Sequence, residues 1–198
     1  MSKADMEKTP GNASSPGESV SGTPVSRTSV LKILDGRDFE HAVIPTGKII
    51  FSPELLKACE KNSCGKYNKC WTCPPAVGPM EGYQEKILGF SHALVFTTKT
   101  DLEDSFDYEG MQQARENHNR ITAEVHDRFG RTNPVFGAGG CKICEECAYP
   151  EPCRFPDKIY PSVEAVGIYV TELSRAAGVH YNNGENTVTY FSMILLNE

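Results

Sequence analysis

The chain has 198 residues, 39% of them hydrophobic, with 20 Lys and Arg against 26 Asp and Glu, a formal charge of −6. That is enough chain for one well-cored domain. The negative balance argues against bulk attraction to nucleic acid or an anionic membrane, no apolar run approaches the roughly 20 residues of a membrane span, and no hydrophobic signal segment opens the sequence; a cytoplasmic protein is expected.

Residues 1–28 are rich in Ser, Thr, Pro and Gly and almost lack large apolar side chains. Such a stretch cannot bury enough surface to offset the entropy of ordering, so it reads as a disordered tail ahead of a single domain over 29–198. Ala42-Val43-Ile44-Pro45 and Lys48-Ile49-Ile50-Phe51 read as short strands about the turn Pro45-Thr46-Gly47. Ser52-Pro53-Glu54 is a helix start, with an N-cap, Pro at the first helical position and an acid in the first turn. That helix delivers Cys59.

A cysteine-rich stretch follows, with Cys59, Cys64, Cys70 and Cys73 ahead of Pro74-Pro75. Pro79 to Leu88 reads as a short helix, and His92 to Thr100 as a strand apolar enough to be interior to a sheet. A long helix is predicted from about Ser105 to Phe129. Met111, Ala114, His118, Ile121, Val125 and Phe129 fall at steps of three or four along one face. His118 lies on that face and reads as a satisfied core histidine; His126 reads as a solvated surface group. Gly130 closes the helix.

Pro134 to Gly140 reads as a short strand running into a glycine hinge, where Gly139 and Gly140 let backbone approach a bulky ligand. Then come Cys141, Cys144 and Cys147 at every third position, followed by Cys153. The run is like the Cys-x2-Cys-x2-Cys by which bacterial ferredoxins wrap a [4Fe–4S] cluster, although the fourth cysteine is more distant here and is followed by Arg154 rather than proline. Pro161 to Ala177 is predicted as a helix stopped by Gly178, Asn182-Asn183-Gly184 as a turn, and Thr187 to Leu196 as a closing strand. The elements alternate without a strict βαβ repeat. The expected fold is α+β, or open α/β, in two layers: a small mixed sheet covered by helices, with two cysteine-rich metal loops.

Eight cysteines in a reducing compartment point to metal or redox chemistry rather than to disulfides. Thiolate-rich sites select iron–sulfur clusters or zinc. Three cysteines at successive third positions suit a cluster with several iron corners, whereas Cys70-x2-Cys73 also has zinc spacing. All eight, Cys59, Cys64, Cys70, Cys73, Cys141, Cys144, Cys147 and Cys153, are therefore candidate ligands. Gly137 to Gly140 is not a dinucleotide fingerprint, so no nucleotide cofactor is expected.

Taken jointly, several stretches resemble a family of predicted metal-binding proteins, domain of unknown function 2284. They are Cys59, Cys64, Tyr67 and Trp71-Thr72-Cys73-Pro74-Pro75; Gly139-Gly140-Cys141 with its cysteine run; Pro161 to Ile168; and Asn186 to Tyr190. The resemblance covers about residues 38–198 and implies metal binding, with no particular reaction. The family pattern usually has a non-cysteine residue at the position of Cys70, which sets it apart from the other seven.

Three functions follow as expectations. The first is one or two [4Fe–4S] clusters carrying electrons to a redox partner protein in an anaerobic pathway. The second is a structural zinc module for interactions. The third is an enzyme: without Cys70 the first set offers three thiolates, Cys59, Cys64 and Cys73, which would leave one iron open as a Lewis acid, with Glu164 and Tyr190 as polar groups beside it. Glu164 is more simply explained as an acid in the first turn of a helix, favoured by the dipole.

Overall fold

The structure is a computed structural model and describes residues 25–35 and 39–197. Four strands form one sheet in the order β1-β2-β4-β3: β1 (His41–Pro45), β2 (His92–Asp101), β3 (Val135–Phe136) and β4 (Thr187–Leu196). Every pairing between them is antiparallel, so the mixed sheet expected from the sequence is corrected. The parallel component is a lone bridge between Gly137 and Ser162, outside the strands.

The two long strands are apolar on both faces, and helices cover both. Ala93 and Val95 of β2, with Phe191, Met193 and Leu195 of β4, face one core. That core is closed by Ile87 of α3 (Met80–Leu88) and by Val170 and Leu173 of α5 (Val170–Ala177). Leu94, Phe96, Ile194 and Leu196 face the other, under Val30 and Leu34 of α1 (Arg27–Leu34) and Val125 of α4 (Tyr108–Phe129). The domain is thus α+β in three layers, not two. The continuous apolar runs of β2 and β4 require a cover on each side.

The expected tail is only partly testable, because residues 1–24 lie outside the described residues. Residues 25–28 belong to the folded unit. Val25 packs on the second core, and Ser26 caps α1 by accepting a hydrogen bond from the Ser29 amide at 3.3 Å. Ser26→Ala is expected to cost about 1 kcal/mol, the usual value of an N-cap. Urea denaturation of the two chains measures it; equal midpoints would show that the cap adds nothing.

Three local expectations are corrected. Residues 48–51 do not return beside β1 as a hairpin. Thr46–Lys48 is a 3-10 turn, and Phe51 instead bridges Ile168, with Ser52 N donating to Gly167 O at 2.7 Å and Tyr169 N to Ile50 O at 3.1 Å. The helix expected over 161–177 is broken. A 3-10 turn at Glu164–Val166 ends in Gly167 at φ +82°, and α5 starts afresh at Val170. A Cβ on Gly167 would stand 2.5 Å from Met80 Sδ, so both the conformation and the packing call for glycine. The long helix starts later than expected, at Tyr108, where Asp107 caps it by accepting from Gly110 N at 2.7 Å.

His118 is fully buried on α4 and satisfied at both ring nitrogens, by Thr98 Oγ1 at 2.9 Å and Ser192 Oγ at 2.7 Å. His126 is not the solvated group expected. It is half-buried beside the Tyr160 ring, and its Nδ1 is enclosed without a hydrogen-bond partner among the described residues.

No helix among the described residues is long and apolar enough to cross a membrane.

Candidate metal centre

The site is built where α4, the segment leaving β3 and two cysteine-rich loops meet. Asn119 of α4 clasps the chain after β3 from both sides: its Nδ2 donates to Ala138 O at 2.8 Å and its Oδ1 accepts from Ala138 N at 3.2 Å. Gly137 N donates to Pro161 O at 2.9 Å, and Val163 N to Gly137 O at 3.0 Å. The Gly139-Gly140 backbone is thereby fixed between α4 and the start of the Glu164 turn.

α2 (Pro53–Glu60) carries Cys59 in its last turn, after which residues 61–77 run as successive turns. Asn62 and Asn68 take positive φ, as Asn tolerates better than most residues. This loop is fastened to the later one. Trp71 packs edge-on against Tyr149 at 5.0 Å and donates through Nε1 to Glu151 O at 2.8 Å. The Tyr149 hydroxyl bonds Asn68 Oδ1 at 3.0 Å, and Cys141 N donates to Thr72 Oγ1 at 3.0 Å. Gly140 sits so close that a Cβ there would be 3.1 Å from Cys73 Sγ.

This clasp regroups the cysteines. Cys70, while keeping its contact with Cys73, lines one cavity with Cys141, Cys144, Cys147 and Cys153, walled by Trp71, Phe155 and Ile159. Cys59, Cys64 and Cys73 line a second, of about 290 Å³, with Arg115, Glu164 and Tyr190. The two sets of four expected from sequence order are therefore five and three in space. All eight thiols are free. Among the described residues no three His, Cys, Asp or Glu side chains converge closely enough to hold a single metal ion, so neither loop by itself forms a ready single-ion centre. The five-thiol cavity encloses only about 10 Å³, about the space of one water.

Residues 42–196 match the family model described as Predicted metal-binding protein (DUF2284). The chain belongs to this family of predicted metal-binding proteins. No curated protein and no solved structure matches it.

The electrostatics of this family member's thiols bear on metal binding. Cys70 and Cys73 are hydrogen-bonded to each other; that bond pulls the Cys70 thiol down and pushes Cys73 up, with burial adding to the rise at Cys73. Thr72 also donates to Cys70, at 3.4 Å between Oγ1 and Sγ, which stabilises the thiolate. Burial raises Cys141, with Cys70, Cys147 and Cys144 adding to the rise while the Ile143 amide opposes it. Burial, then Cys64 and Glu164, raise Cys59. Glu164 is open to the second cavity yet enclosed by its walls; burial raises its carboxyl, against hydrogen bonds from its own amide and from Ser162. Thiols held neutral by one another's charge release protons when a cation takes them, which couples metal uptake to pH.

The sequence reading placed Cys59, Cys64, Cys73, Glu164 and Tyr190 about one site, and the structure brings them to one cavity. It missed Arg115. This side chain lines both the three-thiol cavity and a neighbouring one of about 450 Å³. Its signal was present: Arg115, Asn119 and Ala123 fall at steps of four, one row on the flank of the apolar stripe of α4.

Proposed function

We propose that this metal-binding family member is an iron–sulfur protein with two adjacent thiolate sites. The observation that carries the reading is the division of eight free thiols between two neighbouring cavities, five about one and three about the other. The donor set fits, since all-thiolate sites take iron–sulfur clusters or zinc. The walls of the five-thiol cavity would have to part to admit a cluster, since the space enclosed there is about that of one water.

Cys141, Cys144 and Cys147, with Cys70 or Cys153 as the fourth, hold one cluster, and Cys59, Cys64 and Cys73 hold the other. When bound, the first supplies one-electron transfer to a redox partner protein and the second, short of a fourth thiolate, also supplies a Lewis acid. The protein's own part at the three-thiol site is positioning. Tyr190 is held by its hydroxyl donating to Met111 O at 2.8 Å, and Glu164 and Arg115 place opposite charges on the same cavity wall. This observation favours an enzyme over a carrier at that site.

Anaerobic purification followed by iron, zinc and acid-labile sulfide analysis tests the assignment. A brown protein with iron and sulfide in comparable amounts is expected. A colourless protein with stoichiometric zinc and no sulfide would replace it with the structural zinc module.

A further inference from the structure

The 450 Å³ cavity beside the thiol sites has the size of a small-molecule pocket. It does not depend on which metal the thiols hold. Three cations line it, Arg115, Lys142 and Lys158, against one carboxylate, Glu116, in a chain that is acidic as a whole. Glu116 is engaged by Lys142 at 3.4 Å, and Lys158 is exposed at the rim.

Arg115 is different. It is half-buried, and its guanidinium makes no hydrogen bond or ion pair with a carboxylate or carbonyl among the described residues. A planar, permanently charged fork that is partly removed from water lacks the acceptors it is shaped for. Gly139, at φ +70°, admits it: a Cβ there would meet Arg115 Cδ at 3.2 Å and the Nη1 nitrogen at 3.4 Å. The rest of the wall includes the apolar groups Ile143, Ile159 and the ring of Tyr160. Tyr160 is pinned by its hydroxyl donating to Asn119 O at 3.1 Å.

We propose that this cavity binds a small organic anion, a carboxylate on an apolar body, with the Arg115 fork as its anchor. One fork pairs two parallel N–H donors with two carboxylate oxygens, and the isoleucines and Tyr160 take the apolar part. The ligand then lies along the Gly139-Gly140 backbone next to Cys141, the first thiol of the five-thiol cavity.

Calorimetric titration of the full chain as isolated tests this, with benzoate, its neutral counterpart benzamide, and inorganic phosphate as probes. Benzoate is expected to bind at least about tenfold more tightly than either of the others. Arg115→Gln is expected to weaken benzoate at least about tenfold. Ala123→Phe, which fills the cavity from α4 without touching a charge, is expected to do the same. Equal affinity for benzoate and benzamide, a preference for phosphate, or no binding of any probe overturns the proposal.

Discussion

Replacing Cys144 with Ser is expected to empty the five-thiol site and leave the three-thiol site loaded, removing about half of the bound iron if each site holds a like cluster. Cys144 lies in the middle of the closely spaced run and lines the cavity with Cys70, Cys141, Cys147 and Cys153. The segment that carries it has no helix or strand between Phe136 and a 3-10 turn at Pro156–Lys158, so on the proposed reading a metal bound there would supply much of its order. A fall in Tm of roughly 10 °C is expected, about 3 kcal/mol for a domain of this size. The decisive comparison is with two variants from the earlier loop. Cys64→Ser should give the complementary loss. Cys70→Ser should disturb the same site as Cys144→Ser, because the clasp of Trp71 on Tyr149 and of Thr72 on Cys141 carries Cys70 across. Iron and sulfide per chain, with an electron-spin spectrum of each variant, read the pattern. If Cys70→Ser instead disturbs the site of Cys59 and Cys64, the thiols are grouped as they stand in sequence.

Acid is expected to destabilise the domain through His118. The imidazole is fully buried between Thr98 and Ser192, and the Ser192 hydroxyl is in turn within 2.7 Å of Thr122 Oγ1. Burial lowers its pKa from 6.5 to about 4, against a smaller opposing effect of a hydrogen bond from the ring to the Phe191 backbone carbonyl. The unfolded chain therefore binds the proton more readily. Stability from the neutral ring is complete above pH 6.5 and is lost as pH falls toward 4. Between pH 7.5 and 4.5 the loss is on the order of 2.5 kcal/mol. Acid would also release any metal the thiols hold, so the measurement is a difference: urea denaturation of the wild type and of His118→Gln at both pH values. The amide keeps a polar group between the two hydroxyls but does not titrate. The wild type should lose about 2.5 kcal/mol more than the variant over this interval. Equal losses would remove His118 as the acid-sensitive group.

Much of the fold is legible in the sequence where one periodicity runs unbroken. The apolar stripe from Met111 to Phe129 gives α4, and the β-branched and aromatic runs give β2 and β4. Where local signals compete, they mislead. Ser162 to Ala165 looks like a helix start, but Gly167 turns the chain into the left-handed region and Ile168 pairs with Phe51. Residues 48–51 look like the return of a hairpin, but their partner lies more than a hundred residues away. Strand-forming character shows that a segment will pair and leaves open with what.

The residue types at the site were fixed by the sequence alone. Eight cysteines spaced for soft metals, with two glycines ahead of the second run, state the donor chemistry before any coordinates, because ligand type selects the class of metal. How those donors are shared was decided only by tertiary structure. The indole of Trp71 and the ring of Tyr149 pack the loops together, and the edge-on contact of two half-buried amphipathic rings with their polar atoms satisfied fixes one alignment of the loops. That alignment moves Cys70 to the later cysteines and leaves Cys59, Cys64 and Cys73 with Glu164, Tyr190 and Arg115. Spacing along a chain cannot encode it, since the contacts that set it join residues about eighty positions apart.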